Sequence, residues 1–288
     1  MAVSSTPSRS SPATWLPGPS CWPWRRGTER RGKGRDRERQ RCTGTRAARG
    51  WASPRLARVH PALRGVLTSS TSSRPLVPDT PALPELDETD GSRVIDPVDE
   101  PLVAVRHRRI RILANYWHAG WRHAVAETWL RRTVARRLYQ VADALEPRWG
   151  LAVFDAWRPL ELQAELYEAA YADPRTPAGF MAPVSDDPAE PPPHLTGGAV
   201  DLTLTVDGIP LAPGCGFDDT TTRARAAALE DEAGVDRAVR RYLYWSMRRE
   251  GFIVFAGEWW HFELGTRRWA AITGRPARYG PASPASAG

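Results

Sequence analysis

Residues 198–206 read GAVDLTLTV, and this stretch constrains the fold most. An apolar residue stands at every second position from Val200 to Leu204, with Asp201 and Thr203 between them. This alternation predicts a β-strand whose apolar face lies against a core. Asp201 is unusual there, because an ionised carboxylate on such a strand is costly unless it has a partner. The fold must therefore supply a sheet around this strand and a partner for Asp201.

Other periodic segments predict the elements around that strand. Apolar residues at helical spacing predict three helices, at 126–146, 159–171 and 235–251. Pro159 suits the first turn of its helix and Gly251 suits the end of the last one. Short apolar runs predict two further strands, at 151–157 and 252–256, and residues 173–193 form a proline-rich loop. The expected class is α+β, a small sheet flanked by helices.

The first third of the chain differs from the rest in composition. Residues 1–92 are rich in Arg, Ser, Pro and Gly and have few periodic apolar positions, which is typical of disorder. Residues 1–65 carry 15 basic and 3 acidic residues, whereas the remainder carries 25 basic and 30 acidic ones. We expect a disordered basic extension at 1–92, a folded domain at 93–275 and a flexible tail at 276–288. No nucleic-acid binding is expected of the domain, although the basic extension could act as a polyanion-binding arm.

The cysteines and the hydropathy pattern limit the cellular setting. Cys21, Cys42 and Cys215 have no CxxC spacing, so they indicate neither a disulfide framework nor a cysteine zinc site. No run of about 18 apolar residues exists, so no membrane span is expected. The N-terminus also lacks the apolar core of a secretory signal. A cytoplasmic protein with reduced thiols is expected, and the sequence leaves the oligomeric state open.

Two short segments carry candidate metal ligands. His194 stands seven residues before Asp201, and His261 ends the run Glu-Trp-Trp-His at 258–261. Two imidazoles and one carboxylate form the three-ligand set of a catalytic zinc, which keeps its fourth position for water. Glu258 then serves as a general base beside that water. Residues three apart on a regular strand point to opposite sides, so we expect a bend at Trp259–Trp260, with these indoles walling the pocket.

These motifs together resemble the D-alanyl-D-alanine dipeptidases, a family of zinc peptidases. The resemblance lies in His194, Gly197, Ala199 and Asp201, in the Glu258–His261 run, and in FDAWRP at 154–159. It extends to NYWHAGW at 115–121 and GFD at 216–218, and it covers roughly residues 95–275 in the family's order.

The resemblance implies a function and a role for each matched residue. The fold would be the small antiparallel sheet flanked by helices of the hedgehog and D-Ala-D-Ala peptidase group. One Zn²⁺ per chain, held by His194, Asp201 and His261, would support hydrolysis of D-alanyl-D-alanine or a similar small D,D-dipeptide. Glu258 would be the base and Arg158 would stand by the scissile carbonyl. The remaining implied roles concern the substrate: Asp218 would receive its ammonium, and Tyr116, Trp117 and Trp259 would line its pocket.

The sequence departs from the family pattern at two places. Many relatives have serine two residues before the first histidine, where this chain has Pro192, and the segment 211–218 also differs. Because proline cannot donate a hydrogen bond, recognition of the substrate carboxylate is open. Two rival functions remain: a related zinc D,D-carboxypeptidase or endopeptidase acting on peptidoglycan stems, and a non-catalytic zinc-binding module.

Overall fold

The computed structural model describes residues 77–89 and 91–285 of the 288-residue chain. Most of the predicted N-terminal extension therefore lies outside the described residues. The strands are β1 Leu102–Ala104, β2 Ile110–Ile112, β3 Trp129–Arg131, β4 Trp149–Asp155, β5 Ala199–Val206, β6 Ile209–Pro210, β7 Ile253–Val254 and β8 His261–Glu263. The helices are α1 Asn115–Ala119, α2 Arg132–Ala144, α3 Leu160–Tyr171, α4 Val235–Arg249 and α5 Arg267–Thr273. Within that part of the chain, no helix is both long and apolar enough to span a bilayer.

The main sheet has the order β2-β4-β5-β8-β7, with β6 paired to β5. All of its pairs are antiparallel except β2 with β4, so the expected antiparallel sheet is a mixed one. A separate antiparallel pair joins β1 to β3. The α+β class is confirmed, with α2 and α4 packing on each other and α4 on β5.

Strand β5 is the centre of the sheet and is buried along its whole length. Val200, Leu202 and Leu204 belong to the apolar core, as the alternation predicts. Thr203 on the opposite face is also fully buried, and its hydroxyl donates to the carbonyl oxygen of Leu211 at 2.8 Å. Both faces of β5 are therefore covered, so Asp201 lies inside the protein and not at its surface.

The helix predicted at 126–146 is wrong over its first third. Trp129–Arg131 forms strand β3 and pairs with β1, and α2 begins only at Arg132. Leu130 is fully buried in the strand, and an apolar residue at this position would suit a helix equally well. The helix predicted at 159–171 is confirmed as α3, with Pro159 just before its first residue.

The end of α4 is formed as the glycine predicts. Gly251 has φ +88°, and its N–H donates to the carbonyl oxygen of Arg248 at 3.0 Å. The N–H of Phe252 donates to the carbonyl oxygen of Met247 at 3.3 Å, which completes a Schellman motif. The chain then turns directly into β7, so the helix end sets the start of the segment that carries Glu258.

Two segments predicted outside the domain lie against it. Val77 is buried, and Pro81 accepts a hydrogen bond from the indole of Trp245 at 2.9 Å. At the other end, Tyr279 is fully buried and the N–H of Ala282 donates to the carbonyl oxygen of Leu195 at 3.1 Å. The descriptions of 1–92 as a disordered extension and of 276–288 as a flexible tail therefore do not fit residues 77–89 and 276–285.

Candidate metal centre and active site

The sheet register brings three site residues into one row. Asp201 on β5 stands opposite His261 on β8, and its other neighbour across the ladder is Asp155 at the end of β4. Residues directly opposite on antiparallel strands have Cβ atoms about 5 Å apart. The backbone alone therefore places an acid and an imidazole within contact distance.

His194 reaches the same point from a 3₁₀ turn at His194–Thr196. Gly197 ends that turn with φ +69°, a left-handed conformation that glycine adopts without strain. A Cβ on Gly197 would lie 2.3 Å from a methyl carbon of Leu102, and one on Gly198 would lie 2.8 Å from the carbonyl oxygen of Leu264. The Gly-Gly pair thus lets the chain pass closely from His194 into β5.

The three predicted ligands converge. Nδ1 of His261 lies 2.9 Å from Oδ1 of Asp201 and 3.2 Å from Nε2 of His194. Nε2 of His194 lies 3.3 Å from Oδ2 of Asp201. Ligand atoms about 2.1 Å from a tetrahedral ion are about 3.4 Å from one another. The His-Asp-His donor set therefore fits one ion with a fourth position open, and the three side chains are buried.

The outer nitrogens of both imidazoles are fixed by acceptors. Nδ1 of His194 lies 2.6 Å from the carbonyl oxygen of Ala156, and Nε2 of His261 lies 3.0 Å from Oε1 of Glu263. Carbonyl and carboxylate oxygens only accept, so these nitrogens carry hydrogens, and the other two nitrogens are the ones that would present lone pairs to a bound ion. Such outer partners are usual for metal-binding histidines.

The charges around His194, Asp201 and His261 favour a cation among them. Burial lowers the pKa of His261, but hydrogen bonds to Asp201 and Glu263 outweigh it and raise that pKa to about 10. Burial raises the pKa of Asp201, and the two histidines more than reverse this, so its pKa is below the usual value. A proton fills this role in the metal-free protein, and a divalent ion held by the same atoms would displace it.

A tight turn brings Glu258 to the same place. The N–H of His261 donates to the carbonyl oxygen of Glu258 at 3.4 Å, with Trp259 and Trp260 between them. The bend predicted there is confirmed. The Glu258 carboxylate makes no hydrogen bond to another described residue, and burial with repulsion from Asp201 raises its pKa to about 7. It is an acid with a proton affinity suited to exchange near neutrality.

Arg158 is buried beside the ligands. Its Nε donates to Oδ2 of Asp155 at 2.9 Å and its Nη1 donates to Oε1 of Gln163 at 2.8 Å. Nη2 lies 3.6 Å from Oδ2 of Asp201, and the guanidinium carbon stands 5.1 Å from the Tyr116 ring centroid. Burial lowers the pKa of Arg158, but the attraction of Asp155 outweighs it, so the pKa is raised and the side chain stays charged.

Asp218 and Tyr116 form the other wall. The Tyr116 hydroxyl donates to Oδ1 of Asp218 at 3.1 Å. Asp218 has φ +59°, a conformation that non-glycine residues adopt rarely and that is typical of functional positions. Burial, with repulsion from Asp201 and Glu258, raises its pKa well above the ordinary value. A cationic group is therefore the partner that this carboxylate lacks.

These groups line one cavity. The predicted residues that line it are His194, Asp201, His261, Glu258, Arg158, Asp218 and Tyr116. Trp259 is not among them: it packs against Arg240, 5.5 Å from the guanidinium carbon, and Trp260 lines the cavity instead. Trp117 is half exposed and also lies outside this lining.

Three contributors were missed by the sequence reasoning. Asp155 lies within FDAWRP but had no assigned role, although it holds Arg158. Glu263 stands two residues after His261 on the same strand, and that spacing is a usable signal because such residues share a face. Gln163 gave no signal, since a glutamine on a helix is ordinary.

Three buried donors that could hold one ion, an open fourth position and an adjacent free carboxylate are the features of a hydrolytic metal site. Comparison with known proteins agrees. Residues 122–273 match the family model of the peptidase M15 D-ala-D-ala dipeptidases, and the chain belongs to this family. It is accordingly a metallopeptidase.

Two relatives bear the same name. The D-alanyl-D-alanine dipeptidase of Synechocystis sp. is 29% identical over 230 residues, which cover 67% of this chain and 91% of the relative. That of Escherichia coli is 35% identical over 115 residues, 40% of this chain and 54% of the relative. The first of these alignments spans most of the relative's length, so the likeness extends well beyond the signature motifs.

Proposed function

We propose that this protein hydrolyses D-alanyl-D-alanine, or a closely similar D,D-dipeptide, with one zinc ion per chain. The observation that carries the proposal is the convergence of His194, Asp201 and His261, with ligand atoms about 3 Å apart, beside the free carboxylate of Glu258. Membership of the dipeptidase family supports the substrate class.

The ion supplies one part of the chemistry: when bound, Zn²⁺ polarises a carbonyl and lowers the pKa of a water to about 7. Glu258 accepts a proton from the attacking water and delivers it to the leaving amine nitrogen. Its raised pKa favours both transfers. Arg158 donates to the carbonyl oxygen as negative charge develops there. Asp155 and Gln163 hold the guanidinium in place, so little reorganisation is needed during the reaction.

The limit to a dipeptide follows from Asp218. Its carboxylate, oriented by Tyr116, pairs with the free ammonium of the substrate. A longer peptide has no ammonium at that place and would leave the carboxylate buried without a cation. The same argument disfavours the rival carboxypeptidase or endopeptidase function.

The test is a substrate panel with metal analysis of the same sample. D,D-, L,D- and L,L-dipeptides of alanine and a tripeptide ending in D-Ala-D-Ala are compared for release of free alanine. We expect about one divalent ion per chain, preference for the D,D-dipeptide, and loss of activity on chelation. Faster cleavage of the tripeptide would favour the carboxypeptidase.

The role of Glu258 is tested separately. Glu258→Gln keeps the shape of the side chain but cannot take up a proton. It should retain the metal and lose about 10²- to 10⁴-fold in kcat. Undiminished turnover in this variant would overturn the mechanism. A second possibility, a non-catalytic zinc module, would require that the wild-type protein bind zinc and cleave nothing.

A further inference from the structure

A dipeptide has two charged ends, and the proposed function accounts for one. Asp218 is assigned to the ammonium, whereas the carboxylate has no assigned partner. Pro192 stands where a serine could have donated, and proline has no side-chain donor. Burying a carboxylate without a partner is costly, so a donor to it is expected in the cavity.

The described cavity lining contains two arginines, Arg158 and Arg268, and no lysine. Arg158 is already bound to Asp155 and Gln163 and stands by Asp201, next to the ligand cluster. It is therefore placed for the scissile carbonyl. Arg268 is the remaining cation at the cavity wall.

Arg268 is held in place by three contacts. It is the second residue of α5; its Nη1 pairs with Glu263 and its Nε donates to the carbonyl oxygen of Thr89 at 3.2 Å. Its guanidinium carbon stands 4.2 Å from the Phe255 ring centroid. Its Nη2 makes no hydrogen bond to another described residue, so this nitrogen is free to donate to a ligand. A rigid guanidinium with a spare donor is well suited to a carboxylate.

The contacts also give the order of groups across the site. Asp218 is bonded to Tyr116, which lies under Arg158, and Arg158 is next to Asp201. His261 contacts Phe255 and Glu263, and both contact Arg268. Arg268 also lines a neighbouring groove with Pro192 and Pro193, whose lining does not include Asp218. Asp218 and Arg268 are therefore connected to the ligand cluster through different residues.

We infer that Arg268 binds the C-terminal carboxylate of the substrate and makes a free carboxylate a requirement of this enzyme. The inference rests on the proposed function. Asp218 and Arg268 would then fix the two ends of the dipeptide, with the scissile bond between them at the His-Asp-His cluster.

The experiment compares D-Ala-D-Ala with its C-terminal amide, which lacks the negative charge. Wild-type protein should prefer the free acid in kcat/KM by about 10- to 100-fold, the usual strength of a charge-assisted bond. In Arg268→Ala this preference should fall nearly to one, with most of the change in KM. Arg268→Lys keeps the charge and should keep part of the preference.

The comparison with the amide shows whether Arg268 binds the substrate carboxylate or only supports the structure of the site. Arg268 also pairs with Glu263, so its removal can lower the rates for both substrates, but a common loss cancels in the ratio. Arg267→Ala is the matched control, because Arg267 bonds Ser92 and lines only the neighbouring groove. It should leave the preference unchanged. Thermal unfolding of each variant reports on folding.

Two results would overturn the inference while the proposed function stands. One is a wild-type enzyme that cleaves acid and amide equally well. The other is an Arg268→Ala enzyme, or Arg268→Lys if the alanine variant does not fold, whose rates fall equally for both substrates. Failure of the wild type to cleave any D,D-dipeptide would instead overturn the proposed function, and the inference with it.

Discussion

Asp201 and His261 face each other across paired strands, whereas Asp218 lies in a segment that has neither helix nor strand. The proposed ligands His194, Asp201 and His261 form the metal half of the site, and the ladder of the central sheet holds the last two of them. Asp218, the proposed partner of the substrate ammonium, belongs to the substrate half, whose loop is held by side chains. Arg240, buried in α4, donates to the carbonyl oxygens of Pro213 at 3.0 Å and Arg223 at 2.7 Å, on either side of Asp218.

This difference separates what each half requires. The metal half needs the register of β5 and β8 and the 3₁₀ turn that carries His194, so its geometry exists before a ligand arrives. The substrate half depends on individual hydrogen bonds and on a left-handed residue, so it can change without disturbing the sheet. Metal binding and substrate selection should therefore be separable by mutation.

The largest contrast is expected between two alanine variants. Asp201→Ala removes a ligand and should reduce the metal content from about one ion per chain to near none, with activity below detection. Asp218→Ala should keep the metal and raise KM by about 10- to 100-fold, since a charged hydrogen bond is lost. Metal analysis and steady-state kinetics check both. Metal loss in Asp218→Ala would show that the two halves are coupled.

A smaller effect is expected from the partner of a ligand. Glu263→Gln weakens the bond to Nε2 of His261 and should lower metal affinity by about 10- to 100-fold. Competition with a chromogenic chelator measures this. Glu190→Gln is the control, because Glu190 pairs with Arg93 at the surface and should leave the affinity unchanged. Equal metal affinity in Glu263→Gln and wild type would contradict the proposal that Glu263 supports His261 as a ligand.

The smallest effect concerns pH. In the proposed mechanism Glu258 acts as a base only when ionised, and burial raises its pKa to about 7. A bound cation favours the ionised form, so in the loaded enzyme kcat should fall as pH decreases through a value at or below about 7, with a slope of one. The residual activity of Glu258→Gln should not show this decrease in kcat at low pH. A flat wild-type profile from about pH 5 to 8 would assign the proton transfer elsewhere.

The sequence predicted the metal half better than the substrate half, for a physical reason. Strand alternation around Asp201 and the short Glu258–His261 run are local patterns in the sequence. Few chemical roles suit these residue types at such positions, so the patterns indicate a metal site directly. Trp259 and Trp260 are chemically alike, and only the turn decides which one meets the cavity. The family resemblance supplied the hypotheses for Arg158 and Asp218.

Other features depend on distant contacts that no local pattern contains. Residues 129–131 have helical spacing but pair as a strand because β1 lies beside them. Arg268 lies on a short helix and meets the cavity only because β8 brings Glu263 to it. The composition of residues 1–92 is typical of disorder, yet Thr89 accepts a hydrogen bond from that arginine.

The contact between Ala282 and Leu195 has a consequence for how the protein is made. Ala282 also accepts a hydrogen bond from the indole of Trp157 at 2.8 Å, so this segment contacts both the residue after His194 and the side chain just before Arg158. Residues 279–282 are synthesised after every ligand has been added to the chain. The pocket therefore reaches its final form only after these residues have been synthesised, and an affinity tag placed directly after residue 282 would disturb the contacts of Ala282 with Leu195 and Trp157.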